Sequence, residues 1–174
     1  MYEKTLKSAR IYEGKIINVR VDTVELPDQK YSKREIVEHS GAAAVVPITQ
    51  EGDVILVKQF RKPVEDVLLE IPAGRLETKE SADNCAFREL LEETGYRAGQ
   101  LDKLTAYYSS PGFSNEVIHL YLARDLTEGQ AQPDEDEYLE ITKIPLSEAL
   151  TMVHNGSIQD SKTIIGLLMA ASRV

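Results

Sequence analysis

Three glutamates within one short stretch, Glu89, Glu92 and Glu93, are the side chains of this sequence best suited to chemistry. In a helix, Glu93 lies about 40° round from Glu89 and Glu92 about 60° the other way, so all three carboxylates share an arc of about 100°. Like charges at i and i+4 repel each other, and a helix C-terminus disfavours anions. A divalent cation relieves both effects, because Mg²⁺ takes oxygen ligands and keeps water or phosphate in its other positions. The stretch predicts a metal site, with a solvated acidic face as the alternative.

A helix from about Ser81 to Thr94 must position these carboxylates, and Gly95 predicts a left-handed stop at its end. Helical periodicity places Glu89 and Glu93 at the edge of an apolar face. That face is predicted to contain Ala82, Ala86, Phe87, Leu90 and Leu91.

The composition narrows the class of protein. The chain has 174 residues and a formal charge of −9, and no block of lysines and arginines forms a basic stripe, which argues against nucleic acid as a partner. No apolar run approaches the ~20 residues of a membrane span, and the N-terminal stretch lacks the apolar core of a signal peptide. Cys85 is the single cysteine, so no internal disulfide can form. We expect a cytoplasmic protein without a membrane partner.

The remaining patterns predict an α/β protein with a mixed sheet between helices. Residues 14–26 and "KREIVEH" alternate as strands around a turn, which predicts an N-terminal antiparallel hairpin with a role in dimerisation. We expect residues 1–40 to form these N-terminal elements and residues 41–174 the main domain. Ser147 is predicted to cap one late helix, and Ser161 or Asp160 the last one.

Nine residues of the acidic stretch match a known motif. They resemble the Nudix box, G-x5-E-x7-R-E-U-x-E-E-x-G-U, in which U is apolar, and every fixed letter is present. The matching residues are Gly74, Glu80, Arg88, Glu89, Leu90, Glu92, Glu93, Gly95 and Tyr96. The resemblance implies an α/β/α sandwich in which a loop–helix–loop binds divalent metal ions on a pyrophosphate.

The resemblance also implies a role for each matched residue. Glu89 and Glu93 are expected to be the principal metal ligands, Glu92 a further or water-mediated one, and the backbone carbonyl of Ala73 another. Two or three Mg²⁺ ions are expected, with Mn²⁺ as a possible substitute. Glu80 and Arg88 are expected to form an internal ion pair. The structural members of the box are Gly74, Glu80, Arg88 and Gly95.

Residues outside the box bear on the substrate. Pro111 lies 16 residues beyond Gly95 in "SSPGFSNE", which looks like the marker of the ADP-ribose pyrophosphatase branch, although a Pro-Gly pair alone indicates only a turn. The resemblance makes Pro111, Gly112 and Phe113 substrate-binding candidates. "VKQFRKP" is similar to the strand before the box in the same branch and makes Arg61 a candidate for a phosphate or ribose oxygen.

Two further segments resemble that branch. "SKREIVEH" is similar to the part that reaches across a homodimer, where Arg34 would stack on adenine and Glu35 accept from its amino group. Solvent-facing charges on an edge strand are the alternative. "PDEDEYLEI" resembles a mobile loop that supplies the catalytic base, with Glu137 favoured, Glu135 the rival, and a merely solvated loop the alternative. Glu93 is the third predicted catalytic residue.

Together these features predict hydrolysis of ADP-ribose, a nucleoside diphosphate sugar, to AMP and ribose 5-phosphate. The alternatives are a Nudix hydrolase of GDP-mannose, NADH or a dinucleoside polyphosphate, and a non-catalytic ADP-ribose-binding module. "SPGF" argues against NADH and dinucleoside polyphosphates, and the complete set of box carboxylates argues against a binding module. The three histidines lack metal-ligand spacing and are assigned no role.

Overall fold

The structure is a computed structural model that describes residues 2–132 and 138–173. Within these residues it contains ten strands and three helices. The strands are β1 (Lys4–Glu13), β2 (Asn18–Glu25), β3 (Tyr31–Glu38), β4 (Ala42–Pro47), β5 (Asp53–Arg61), β6 (Asp66–Glu70), β7 (Ala73–Arg75), β8 (Tyr96–Tyr108), β9 (Val117–Glu128) and β10 (Leu139–Pro145). The helices are α1 (Ala82–Thr94), α2 (Leu146–His154) and α3 (Ser161–Ala170).

The described residues divide into two compact units. The N-terminal unit comprises those of Met1–Gly41 and Tyr108–Val117, and the main unit those of Ala42–Tyr107 and Ile118–Val174. In the N-terminal unit, β1, β2 and β3 form an antiparallel sheet in that order. The predicted antiparallel hairpin is confirmed as β2 and β3, whereas β1 is a third strand that the sequence patterns did not predict.

The main unit has a mixed sheet, as predicted. One sheet has the strand order β7-β4-β9-β8, in which β4 runs parallel to β9 and antiparallel to β7. A second sheet has the order β10-β5-β6, and both of its pairings are antiparallel. None of the helices in the described residues is long and apolar enough to cross a membrane.

The main unit is layered because successive side chains of a strand point to opposite faces of its sheet. Ala43 and Val45 of β4 pack into a buried cluster with Ala86 and Leu90 of α1. On the other face, residues of β4 and β9 join a cluster that includes Ala149 of α2 and residues of α3. The predicted sandwich, with helices on both faces of the sheet, is therefore confirmed.

The helix ends show which side chains act as caps. Ser81 caps α1, because its hydroxyl accepts from the Asn84 N–H, and Gly95 ends that helix with φ of 75°. Asp160 caps α3 by accepting from the N–H of Thr163. The prediction for Ser147 was wrong: α2 has its N-cap at Pro145, without a side-chain cap, and Ser147 lies inside the first turn.

Candidate active site

Two buried carboxylates of the main unit, those of Glu89 and Glu93, lie where the short strand β7 runs beside α1. The N–H of Ala73 donates to Glu93 Oε2 at 3.2 Å. The Glu89 carboxylate lies so close to Gly74 that a Cβ atom there would come within 1.8 Å of Glu89 Oε1. Only glycine leaves room for this approach. Glu93 and Glu89 thus lie against the backbone of Ala73 and Gly74, and the resemblance makes the Ala73 carbonyl a further metal ligand.

The orientation of α1 differs from the predicted one. Glu89 and Glu93 are 8% and 3% exposed, so they belong to the buried stripe rather than to its edge. Phe87, predicted on the apolar face, is 43% exposed, and Leu91 is half-buried. Helix periodicity fixes which residues share a stripe, but it cannot reveal that these two carboxylates are buried while Phe87 is exposed.

The predicted ion pair between Glu80 and Arg88 is present. Arg88 Nε and Nη2 donate to the two oxygens of Glu80, each at 2.9 Å. Arg88 Nη1 donates to Glu89 Oε1 at 2.7 Å and to Glu92 Oε2 at 2.9 Å. We call these four residues the Arg88 cluster, in which one guanidinium is shared by three carboxylates.

Charge pairing shifts the pKa values inside this cluster. The hydrogen bonds from Arg88 lower the pKa of Glu80 to about 2. The same bonds, followed by the charge of Glu89, raise the pKa of Arg88 above its ordinary value. Burial, together with the negative charges of Glu89 and Glu80, raises the pKa of Cys85 to about 12. Cys85 therefore stays a thiol, and its Sγ contacts the carbonyl oxygens of Gly74 and Arg75 at 3.6 Å.

The donor set fits a divalent cation, although the described residues contain no preformed group of three or more His, Cys, Asp or Glu side chains that could hold a metal. Glu89 and Glu93 present carboxylate oxygens beside the backbone of Ala73 and Gly74. Glu92 shares Arg88 with Glu89 and has a partly exposed side chain. Oxygen ligands of this kind suit Mg²⁺ and Mn²⁺.

Arg61 lies at the end of β5 in a second charged group. Its Nε and Nη2 donate to the two oxygens of Glu70 at 2.7 and 2.8 Å. The bonds with Glu70 raise the pKa of Arg61, and the charge of Glu93 contributes to that rise. Arg61 therefore keeps its positive charge, and it interacts electrostatically with Glu93, a predicted metal ligand.

Glu70 is 1% exposed and has a second cationic partner that sequence reasoning missed. Lys162 of α3 donates to Glu70 Oε2 and pairs with Asp160 Oδ1 at 3.1 Å. Burial raises the pKa of Glu70, but the bond from Arg61 and the charge of Lys162 outweigh it, so the net pKa is lowered. We call Glu70, Arg61, Lys162 and Asp160 the Glu70 cluster. Its available sequence signal was a lone acid in the apolar run "VLLEIP".

A contact between uncharged groups beside the Glu70 cluster was also not predicted from the sequence. Thr163 is fully buried, and its hydroxyl accepts from the Ile71 N–H at 2.8 Å while donating to Asp160 Oδ2 at 2.6 Å. Ile71 lies two residues before Ala73, so the first turn of α3 holds the chain that leads into β7.

The other predicted substrate-binding residues belong to the N-terminal unit. Arg34, on β3, donates to both oxygens of Glu3 at 2.9 and 2.6 Å, and Glu35 is exposed. Pro111, Gly112 and Phe113 are also exposed. Their turn is attached to β3 by the Val37 N–H, which donates to the Phe113 carbonyl at 2.7 Å. The predicted bases Glu135 and Glu137 lie outside the described residues.

Family models match most of the chain. The model of the NUDIX domain matches residues 38–164. The chain belongs to the Nudix family. A second model, the nucleoside diphosphate sugar hydrolase N-terminal domain, matches residues 3–37. Nudix hydrolases generally need a divalent metal, which agrees with the carboxylates beside β7.

Curated relatives extend over nearly the same residues of this Nudix chain. It is 50% identical over 163 residues to an ADP-ribose pyrophosphatase of Bacillus subtilis, covering 92% of this chain and 88% of that protein. It is 47% identical to a methanol dehydrogenase activator of Bacillus methanolicus, with 95% and 90% covered. It is 35% identical to a GDP-mannose pyrophosphatase of Yersinia enterocolitica, with 79% and 76% covered.

Among solved structures, the fold resembles a crystal structure of an ADP compounds hydrolase. The TM-score is 0.88, and the match covers 99% of this chain and 94% of the other. The sequences are 21% identical, so this likeness supports the Nudix fold alone.

Proposed function

We propose that this Nudix protein hydrolyses ADP-ribose to AMP and ribose 5-phosphate with Mg²⁺ as its metal. The observation that carries the proposal is the pair of buried carboxylates, Glu89 and Glu93, held against Ala73 and Gly74 of β7. The 50% identity to an ADP-ribose pyrophosphatase over 92% of the chain supports the choice of substrate.

Each described residue has a definite task in this proposal. Glu89, Glu93 and the Ala73 carbonyl would hold the metal, with Glu92 as a further ligand. Bound divalent ions would neutralise the pyrophosphate and lower the pKa of the attacking water. Arg61 would donate to a phosphate or ribose oxygen with the N–H groups that Glu70 does not occupy. Arg88 keeps the helix carboxylates together and does not touch the substrate.

The catalytic base is proposed to be Glu137 or Glu135. The chain before their segment is attached to α1, because the Gln132 N–H donates to the Glu92 carbonyl at 2.9 Å. Glu137→Gln and Glu135→Gln, measured separately, would identify the base. The variant in which kcat no longer rises with pH would identify its glutamate as the base. If neither variant loses kcat, neither glutamate is the base.

A substrate panel tests the proposed function. Purified protein would be incubated with Mg²⁺ and ADP-ribose, GDP-mannose, NADH or a dinucleoside polyphosphate, and the products separated by chromatography. We expect the highest kcat/KM for ADP-ribose, with AMP and ribose 5-phosphate as products. A GDP-mannose preference of about tenfold would favour the second candidate, which the Yersinia relative supports. Absence of hydrolysis with every substrate would favour a binding module.

Glu93→Gln tests the metal assignment. The amide keeps an oxygen that can accept from the Ala73 N–H, so the fold should remain while the loss of charge weakens metal binding. We expect kcat to fall by about 10³-fold or more with little change in Tm. Glu77→Gln, which alters an exposed acid of the same motif, is the matched control. A near wild-type kcat at saturating Mg²⁺ would remove Glu93 from the site.

We also propose a cytoplasmic homodimer formed through the N-terminal unit. All ten residues of β1 are exposed, although an ordinary strand buries at least one face. Exposed apolar side chains on and next to β1 include Leu6, Ile11, Tyr12 and Ile16. Sedimentation equilibrium should give twice the chain mass, and Ile11→Asp should shift the equilibrium towards monomer. A monomeric wild type at micromolar concentration would refute the dimer.

Adenine recognition in that dimer is proposed for Arg34 and Glu35. Arg34 is held by Glu3, and Glu35 is free to face a ligand because it lies on an exposed position of β3. The turn at Pro111, Gly112 and Phe113 is proposed to contact the substrate as well, and its attachment to Val37 supports a fixed position within the N-terminal unit.

A further inference from the structure

Arg61 is held by Glu70 in a way that leaves part of its guanidinium available. The group carries five N–H donors, and the bonds to Glu70 engage one on Nε and one on Nη2. The Arg61 side chain is 38% exposed, whereas that of Glu70 is 1% exposed. The remaining donors can therefore meet a ligand while Glu70 fixes the plane of the fork.

The orientation of that plane depends on what holds Glu70. The terminal torsion of a glutamate is broad, so its carboxylate can rotate unless a further contact fixes it. Lys162 supplies this contact, because it donates to Oε2, the same oxygen that accepts from Arg61 Nη2. The Lys162 side chain is 13% exposed, which makes it an unusually buried lysine.

The position of Lys162 is itself fixed by the start of α3. It pairs with Asp160, whose other oxygen accepts from the backbone and hydroxyl of Thr163 at the start of α3. Ammonium groups on flexible stems gain little from a fixed position at a surface. Here the position is fixed by a helix cap, and the charge is directed at a single carboxylate oxygen.

We propose that Lys162 is a positioning residue for substrate binding, which sets the orientation of the Arg61 guanidinium through Glu70. The inference rests on the proposed function, in which Arg61 donates to a phosphate or ribose oxygen of the nucleoside diphosphate sugar. It assigns to α3 an indirect part in recognition, through the orientation of Arg61.

A double-mutant cycle between Lys162→Met and Glu70→Gln tests the proposal. Removing both charges together takes one charge of each sign from the cluster and leaves its net charge unchanged, so the double variant should fold. We expect each single variant to raise KM by about fivefold to tenfold, as for weakening one charge-assisted hydrogen bond, with kcat nearly unchanged. The double variant should match Glu70→Gln within about twofold, because in this proposal Lys162 acts on Arg61 through Glu70.

A second readout does not depend on turnover. The dissociation constant for ADP-ribose would be measured by calorimetry in EDTA, and it should follow the same pattern as KM across the cycle. Lys58→Met is the matched control, because Lys58 pairs with Glu140 on exposed β-strand positions at 2.6 Å. Its KM and dissociation constant should equal those of the wild type.

The alternative is that Lys162 only stabilises the fold. The proposal would be overturned if the KM increase of the double variant equals the product of the two single increases. It would also be overturned if Lys162→Met lowers Tm but leaves KM and the dissociation constant unchanged. If Lys162→Met does not fold, Lys162→Gln, whose amide can donate to Glu70, would be judged by the same criteria. The wild-type rate with ADP-ribose tests the proposed function separately, and whichever sugar nucleotide the wild type hydrolyses would serve for the cycle.

Discussion

The Arg88 cluster and the Glu70 cluster have opposite charge patterns around their central groups. In the first, one arginine is shared by the carboxylates of Glu80, Glu89 and Glu92. In the second, one carboxylate lies between Arg61 and Lys162. The first arrangement has a net negative charge that suits a cation, and the second leaves part of the Arg61 guanidinium exposed to solvent.

The difference also lies in where the partners come from. The Arg88 cluster is drawn from α1 and from Glu80, which lies two residues before α1 begins, so it spans 12 positions from Glu80 to Glu92. The Glu70 cluster joins strand ends to α3, and Lys162 is 92 residues from Glu70. One cluster therefore depends on a single helix, whereas the other depends on how the main unit packs.

Arg88→Met should have the largest effect on stability. It leaves three neighbouring carboxylates without their shared cation, so we expect the free energy of unfolding to fall by about 3 kcal/mol. For a chain of this length that corresponds to a Tm decrease of about 6–12 °C, measured by calorimetry. Arg97→Met, at an exposed position of β8, is the control. Equal losses in both variants would mean that the cluster contributes nothing specific.

Thr163→Val should weaken the attachment of the Glu70 cluster. Valine has nearly the same shape, but it leaves the buried Ile71 N–H without its acceptor. We expect a loss of about 1–3 kcal/mol in the free energy of unfolding, measured in urea. Thr151→Val, whose hydroxyl bonds only within an exposed turn of α2, should change it by less than about 0.5 kcal/mol. If Thr163→Val leaves the free energy of unfolding unchanged, this hydrogen bond does not stabilise the end of β6.

Glu80→Gln should produce a pH-dependent loss. Because the folded-state pKa of Glu80 is lowered from 4.5 to about 2, its pairing stabilises the protein above pH 4.5 and the contribution is lost as the pH falls through 2. The variant should be less stable than the wild type by about 1–2 kcal/mol at pH 7. The difference measured by urea unfolding should shrink below pH 4.5. A difference that grows on acidification would reverse the assigned sign.

Ser81→Ala should have the smallest effect, because it removes only the cap of the helix that carries the Arg88 cluster. The expected loss is about 1 kcal/mol. Ser147→Ala should cost less, since the Ser147 side chain does not cap α2. Equal losses in the thermal unfolding of the two variants would contradict the assignment of the caps.

Local features could be predicted from the sequence. The start of α1 near Ser81 and the stop at Gly95 follow from local signals, and the pair between Glu80 and Arg88, implied by the resemblance, joins residues about two helical turns apart. The two faces of β4 also follow from the alternation of a strand. These elements have physical causes that act over short stretches of chain.

Long-range features could not be predicted in this way. The bond between Thr163 and Ile71 requires α3 to pack beside the end of β6, and no periodicity encodes that. β1 was missed because none of its residues is buried, so no alternation marks its faces. Phe87 was placed inside because apolar side chains usually are, whereas the fold turns Glu89 and Glu93 inward instead.

The separation between α3 and β6 has a consequence for synthesis. Ribosomes add roughly 5 to 20 residues per second, so the 92 residues between Glu70 and Lys162, or between Ile71 and Thr163, take roughly 5 to 18 seconds to translate. The whole box, which ends at Tyr96, is translated within that interval. Until Lys162 follows, Glu70 has Arg61 as its only cationic partner within the cluster. The carboxylates of the box are therefore synthesised several seconds before α3, the helix proposed to orient Arg61.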